Sequence, residues 1–186
     1  MADTVRTPTT LLTSLFQDGQ TAGISAQDMR DLIVSVRAPF GRIASNVPSL
    51  TTITTQNVFV KAAGTTTFGG MSNQMDGNAV NNRIRYTGPV SRHMHIVLQG
   101  SCQFATGTNL TVALQLYHYD DSAASGSLVA HSLARSVVAG ANVQQVTSHA
   151  DLMLDTNDYI ELWVANTSGT QDVTVSNVYM FMMGMF

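Results

Sequence analysis

The sequence predicts a mainly β chain, an antiparallel jelly-roll sandwich preceded by two short N-terminal α-helices. Three observations lead there. Apolar residues recur with a helical period up to Val36 and with a period of two after Leu50; turn-forming residues punctuate the second region at short intervals; and no helical pattern returns between its strands. A chain of 186 residues can hold one good-sized core after a small appendage. The expected division is therefore residues 1–49, an N-terminal helical anchor and linker, and residues 50–186, the β jelly roll.

The first helix has Thr7 as its N-cap, Pro8 at the first helical position, an apolar face of Leu11, Leu12, Leu15 and Phe16, and Gly19 as its stop. The second is better defined. Ser25 is an N-cap whose hydroxyl can accept from the Asp28 amide, and Asp28 can answer from N3, a capping box with Asp in place of the preferred Glu. Met29, Leu32, Ile33 and Val36 then fall at i, i+3, i+4 and i+7, one apolar stripe, while Asp28, Arg30, Asp31 and Ser35 make the other face polar. Helices below about 12 to 15 residues are marginal in water, so both need a surface, on their own chain, on their symmetry mates or on a larger assembly. The eight apolar residues of the two faces are the candidate docking set.

The run Leu15-Phe16-Gln17-Asp18-Gly19-Gln20, followed after a spacer by Ile24-Ser25-Ala26-Gln27-Asp28-Met29-Arg30-Asp31-Leu32, resembles a segment near the N-terminus of tailed-bacteriophage virion proteins, chiefly fibre, spike and capsid-decorating proteins. It spans 18 of the 186 residues. The resemblance implies a structural virion component, made in the host cytoplasm and located on the capsid surface, whose partner is the phage major capsid protein or another virion protein.

Residues 37–49 contain Pro39, Gly41 and Pro48 and read as a linker, because proline disfavours helix and promotes extended backbone. Strands follow. Val58 and Val60 alternate around Phe59 within Thr51 to Ala62, and Ile84 and Tyr86 alternate with Arg83 and Arg85. Met94, Ile96 and Leu98 interleave with His93, His95, Val97 and Gln99, and Leu110, Val112, Leu114 and Leu116 interleave with Thr111, Ala113 and Gln115. Further strands are expected at Leu128 to Val138, Val143 to Met153, Tyr159 to Asn166 and Val173 to Met183, about eight in all.

Arg83-Ile84-Arg85-Tyr86-Thr87-Gly88, the strand from His93 to Gln99, Asp158-Tyr159-Ile160-Glu161-Leu162-Trp163-Val164-Ala165-Asn166 and Val173-Thr174-Val175 are together similar to the jelly roll of the complement-globular-head and tumour-necrosis-factor type. That similarity implies a ten-stranded trimeric module with its last strand close to the threefold axis. Met71 to Asn81, rich in Asn, Gly and Met, departs from the pattern. The chain end argues for self-association independently. Val178 to Phe186 is apolar on both faces of any strand, whereas a strand of a monomeric sandwich needs only one buried face. Burial is worth about 25 cal/mol per Å², so Tyr179, Met180, Phe181, Met182, Met183 and Phe186 are the expected interface of a homotrimer.

Charged residues make up 11% of the chain, against roughly 25% in an average domain. Lys61 and Glu161 are the sole residues of their types, so the long charged side chains that blunt sheet edges are scarce. A net charge of -3 gives no basic footprint for nucleic acid, and no stretch has the length of a membrane span. Met1 to Arg6 shows no secretory signal. Cys102, alone within a strand, reads as a small core residue. No nucleophile elbow, phosphate loop or dinucleotide fingerprint is present, so neither an enzyme nor a cofactor is expected. Asp120-Asp121 reads as a solvated loop tip, Asp155 and Asp158 flank a turn, and His118, His131 and His149 lack ligand spacing. His93 and His95 share a strand face and read as polar outer-face residues before a metal pair. Two functions follow: a trimeric head decoration or cement protein, preferred because no shaft separates anchor from jelly roll, or a receptor-binding module touching a host surface glycan through the loops Asp120 to Gly126 and Thr167 to Asp172 with Trp163 or Tyr119.

Overall fold

The computed structural model describes residues 4–15, 24–70, 72–78, 82–106 and 109–185. Thirteen strands lie among them in two antiparallel sheets packed face to face. The six-stranded sheet runs β11 (Gln144–Leu154), β7 (Arg92–Phe104), β13 (Val173–Gly184), β1 (Phe40–Ser45), β4 (Thr67–Phe68), with β2 (Ser49–Thr51) also on β13. The seven-stranded sheet runs β10 (Ala134–Val138), β8 (Leu110–Asp120), β12 (Tyr159–Asn166), β6 (Arg83–Tyr86), β5 (Met75–Asn78), with β3 (Val60–Lys61) on β12 and β9 (Ser125–Leu128) on β8.

The core fills the space between the sheets. Met94, Ile96 and Leu98 are fully buried from β7, Leu114 and Leu116 from β8, and Ile160 and Leu162 from β12. This is the alternation the sequence predicts for these strands, since successive side chains leave opposite faces of a sheet. Cys102 joins the same core, and burial pushes its thiol up to about 12.

Four strand readings need correction. Residues 37–49 are not a linker throughout: β1 pairs with β13 from Phe40↔Met183 to Ser45↔Val178, and Ile43 is in the core. The prolines Pro39 and Pro48 bracket the strands instead of excluding them, since Pro39 precedes β1 and Pro48 sits in the turn before β2. Leu128 to Val138 is not one strand. Between β9 and β10 a 3₁₀ turn, Ala130–Ser132, bulges from the edge; the Ser132 hydroxyl replaces a ladder acceptor by taking the Leu116 amide at 2.9 Å. Along β8 the alternation fails, because Ala113 and Gln115 are buried along with their neighbours and Gln115 donates to Val129 O at 3.0 Å. The segment Thr51 to Ala62 forms strand only at its two ends. Met75–Asn78, within the irregular Met71 to Asn81 segment, is an edge strand held to β6 by the Arg85–Asp76 ion pair.

The helices form where expected. Thr7 Oγ1 accepts from the Thr10 amide at 3.1 Å, and helix α1 (Pro8–Thr10) continues as a π-helical turn over Leu11–Leu15. Helix α2 (Ala26–Val36) starts with the predicted capping box: the Asp28 amide donates to Ser25 Oγ at 3.1 Å, and the Ser25 amide donates to Asp28 Oδ2 at 2.9 Å. The side chain of Leu15, together with Phe16, Gly19 and Phe186, lies outside what the structure describes.

Candidate functional site

Two apolar surfaces stand out, one on β13 and one on α2. On β13 the expected interface divides in two. Met180 and Met182 are fully buried in the sandwich core, so they cannot meet a partner, which corrects that part of the expected set. Tyr179, Phe181 and Met183 point the other way; the first two are half-buried and Met183 is 41% exposed. The parity has a cause. Val173 and Val175 face inward at the start of the strand, and the register against β7 shifts between Ser176 and Tyr179, where Asn177 takes a left-handed φ of 47°. One extra residue in a strand exchanges its two faces.

Pairing register assembles the outward face. Met183 lies opposite His95, which lies opposite Asp151; Phe181 opposite Val97, then His149; Tyr179 opposite Gln99, then Thr147. On the other flank Arg42 pairs with Phe181. The result is an apolar ridge of Tyr179, Phe181, Met183 and Val97 between polar borders. His95 Nδ1 lies 2.6 Å from Asp151 Oδ1, and the His95 and His149 rings are 6.4 Å apart. Sequence reasoning missed Val97, His95 and Met153 as companions of β13, because cross-strand neighbours are invisible until register is known. His93 is exposed on the same face. Among the described residues no group of three or more His, Cys, Asp or Glu side chains is placed to hold a metal ion.

On α2 the expected solvent face is the buried one. Asp31 is 1% exposed and Ser35 5%, because the segment Thr4 to Arg6 lies along them. The Thr4 amide donates to Asp31 Oδ1 at 2.9 Å, Arg6 Nε donates to Asp31 Oδ2 at 3.0 Å, and the Arg6 amide donates to Ser35 Oγ at 2.7 Å. The Thr4 amide, then the Gln27 side chain, hold the Asp31 carboxyl below the usual carboxylate range, and the Ser25 hydroxyl does the same for Asp28. The apolar stripe is left outside: Met29 is 45% exposed, Ile33 55% and Val36 58%, with Leu32 half-buried. Leu12 is also exposed, whereas Leu11 is buried at 7%.

The aromatic residues considered for a glycan are not on loops. Trp163 lies in β12, stacked on Tyr117 with centroids 4.2 Å apart, and its indole donates to Glu161 Oε2 at 3.1 Å. Tyr119 stacks on Tyr159 at 4.6 Å, and Arg83 covers the Tyr159 ring at 4.4 Å. Asp120 ends β8 and Asp121 opens the turn after it, where the Ser122 hydroxyl and the Ala123 amide hold the Asp120 carboxyl below its usual range. Asp158 is buried at 3% and ties that turn to the next one, accepting from the Asp121 and Asp155 amides at 3.0 Å each, with His118 Nε2 also at 3.0 Å.

Two facing antiparallel sheets with β13 between β7 and β1 define a jelly roll of the tumour-necrosis-factor type. Among solved structures the chain is similar to Eiger TNF from S. frugiperda, at 8% identity over 80% of this chain and 93% of that one, with a TM-score of 0.57. It is similar to murine APRIL at 8% identity over 80% of this chain and the whole of the other, with a TM-score of 0.55. No protein-family model matches the sequence, and no curated protein matches it. Identity this low makes the likeness one of fold.

Proposed function

We propose that the chain is a homotrimeric structural component of a tailed-bacteriophage particle, a head decoration or cement protein that binds the shell through its N-terminal segment. The observation that carries this reading is the inverted helix α2. Its polar face is bound by its own N-terminal segment while Met29, Ile33 and Val36 stay exposed, which suits a helix presented to a partner. The second part of the phage-like run, Ile24 to Leu32, overlaps that element from Ala26 to Leu32. The apolar ridge Tyr179, Phe181 and Met183 supplies a second surface, through which three copies associate with β13 inward.

A protein that binds the assembled shell alone adds its binding free energy to the stability of that shell. Particles lacking it release DNA at a lower temperature than complete ones and adsorb to host cells normally. Substituting Leu32 and Ile33 with Asp reproduces the loss, because a charge then enters the docking stripe and its burial is costly. Particles that stay stable but adsorb poorly overturn cement in favour of the second reading, a receptor-binding fibre or spike module. What favours that alternative is the aromatic and charged row Tyr119, Tyr159, Arg83, Tyr117 and Trp163 on the seven-stranded sheet.

A further inference from the structure

Where β1 gives way to the turn before β2, a small cavity opens between the sheets. Ile43, Leu162 and Val175 form its apolar floor. Two polar side chains on its lining each bury one atom that lacks a partner. Asn82 and Thr66 are each 5% exposed, yet Asn82 Oδ1 and Thr66 Oγ1 meet no hydrogen-bonding group among the described residues. Asn82 cannot rotate its amide to cure this. Nδ2 already donates to Ala62 O at 3.2 Å and to Gly64 O at 2.8 Å, which fixes Oδ1 as the free acceptor.

The backbone is bent to hold this arrangement. Asn82 has a φ of 47°, Gly64 of 100° and Asn177, at the groove mouth, of 47°. A Cβ at Gly64 would stand 2.3 Å from Ser49 Oγ, so both conformation and space demand glycine there. Left-handed backbone at residues with a Cβ persists where the surroundings enforce it, and such positions gather at ligand sites. A buried polar atom without a partner is itself a reason to look for a ligand.

The cavity measures about 10 Å³, on the order of what one water or one hydroxyl needs. It leads into an open groove of about 380 Å³, the two sharing Ser45, Val47, Thr65 and Val178. The groove adds Ala44, Asn46, Thr67 and Asn177, and among the described residues no charged side chain lines either space.

We propose that this is a binding site for a neutral carbohydrate, which lies in the groove and sends one hydroxyl into the cavity to donate to Asn82 Oδ1 and to bond Thr66 Oγ1. In the free protein a single water holds that position. The free acceptor selects a donor and so disfavours carboxylate or phosphate, while the lack of any acidic side chain gives a cation nothing to neutralise it. Apolar floor and amide-rich mouth match the C–H face and hydroxyl edge of a sugar ring. The inference rests on and deepens the receptor-binding reading by placing a neutral sugar in this groove, away from the loops Asp120 to Gly126 and Thr167 to Asp172; it needs no part of the anchoring role of α2.

The test is a titration of the full-length protein with glucose, galactose and N-acetylglucosamine, followed through the Asn82 side-chain amide and the Thr66 methyl by NMR. The expected result is saturable shifts at both groups with at least one sugar, about tenfold weaker binding in Thr66→Val, and recovery in Thr66→Ser, as loss and return of one hydrogen bond dictate. A high-resolution structure without sugar shows one water bonded to both atoms. Failure of all three sugars to shift either group overturns the carbohydrate assignment, as does equal affinity in Thr66→Val. A dry cavity with both side chains turned onto protein partners overturns the site altogether. Thr66→Val particles that lose sugar binding but adsorb normally leave the site standing and remove its receptor role, so the two failures are distinguishable.

Discussion

Strand β13 and helix α2 handle their apolar residues in opposite ways. On β13 the deepest apolar side chains, Met180 and Met182, go into the core and leave Tyr179, Phe181 and Met183 half-covered outside. On α2 the buried residues are Asp31 and Ser35, and the apolar stripe faces out. The strand obeys the rule that apolar area drives folding. The helix does not, and hydrogen bonds to Thr4 and Arg6 hold it the other way round. The difference is one of what each element's buried face contacts: the sandwich core for β13, and the polar segment Thr4 to Arg6 for α2.

The sharpest way to break this comparison is to attack both faces of β13. Removing residues 178–186 takes away the part of β13 that lies between β7 and β1 and should abolish folding, read as loss of the near-ultraviolet circular dichroism signal. Met182→Ala should lower the unfolding free energy by about 2–5 kcal/mol, the cost of a methionine-to-alanine cavity in a closed core, measured by urea denaturation. Phe181→Ser together with Met183→Ser should leave a folded protein that sediments as a monomer. If Phe181→Ser and Met182→Ala destabilise equally without changing the sedimentation, the outward ridge is not an interface.

On α2 the effects are smaller and of another kind. Ser25→Ala removes a cap worth about 1 kcal/mol and should fray the helix locally, seen as faster amide exchange at Asp28 and Met29, with the unfolding midpoint of the sandwich unchanged. Ile33→Asp should leave stability within about 0.5 kcal/mol, as expected for an exposed site, and abolish attachment to particles. A fall in sandwich stability on Ile33→Asp would mean that the stripe packs on its own chain.

How far the sequence carries can be argued from these same residues. Helix capping is local chemistry, so Ser25 and Asp28 were legible, as was the alternation of Met94, Ile96 and Leu98. The bulge at Asn177 was not. Its effect is to exchange the faces of β13, and without the register shift between Ser176 and Tyr179 nothing in Val178 to Met183 says which half is core. Strand β1 was hidden by Pro39, Gly41 and Pro48, whose turn preferences mask a six-residue strand between them. The burial of Asp31 was illegible for a third reason: its partners Thr4 and Arg6 lie 27 and 25 residues away, beyond any periodicity. For the candidate site, the sequence marked the apolar residues of both surfaces and could not mark Thr66 or Asn82, whose lack of partners exists only in three dimensions.

The mildest prediction concerns acid and tests what holds α2 in its inverted orientation. The Asp31 carboxyl is held below its usual range, chiefly by the Thr4 amide. A carboxylate with a depressed folded value contributes stability that is complete above its ordinary pKa, about 3.9, and is lost as the pH falls through the folded value, because the released state binds the proton first. The contact of Thr4 to Arg6 with α2 should therefore be intact from neutral pH down to about pH 4 and loosen below it. The Thr4 amide chemical shift reports this directly, and the Ser25 amide reports the parallel titration of Asp28 at the cap. Asp31→Asn should remove the acid transition at Thr4 and keep the one at Ser25. A Thr4 amide that does not move on acidification, or moves identically in Asp31→Asn, would show that the segment is held by something other than this carboxylate.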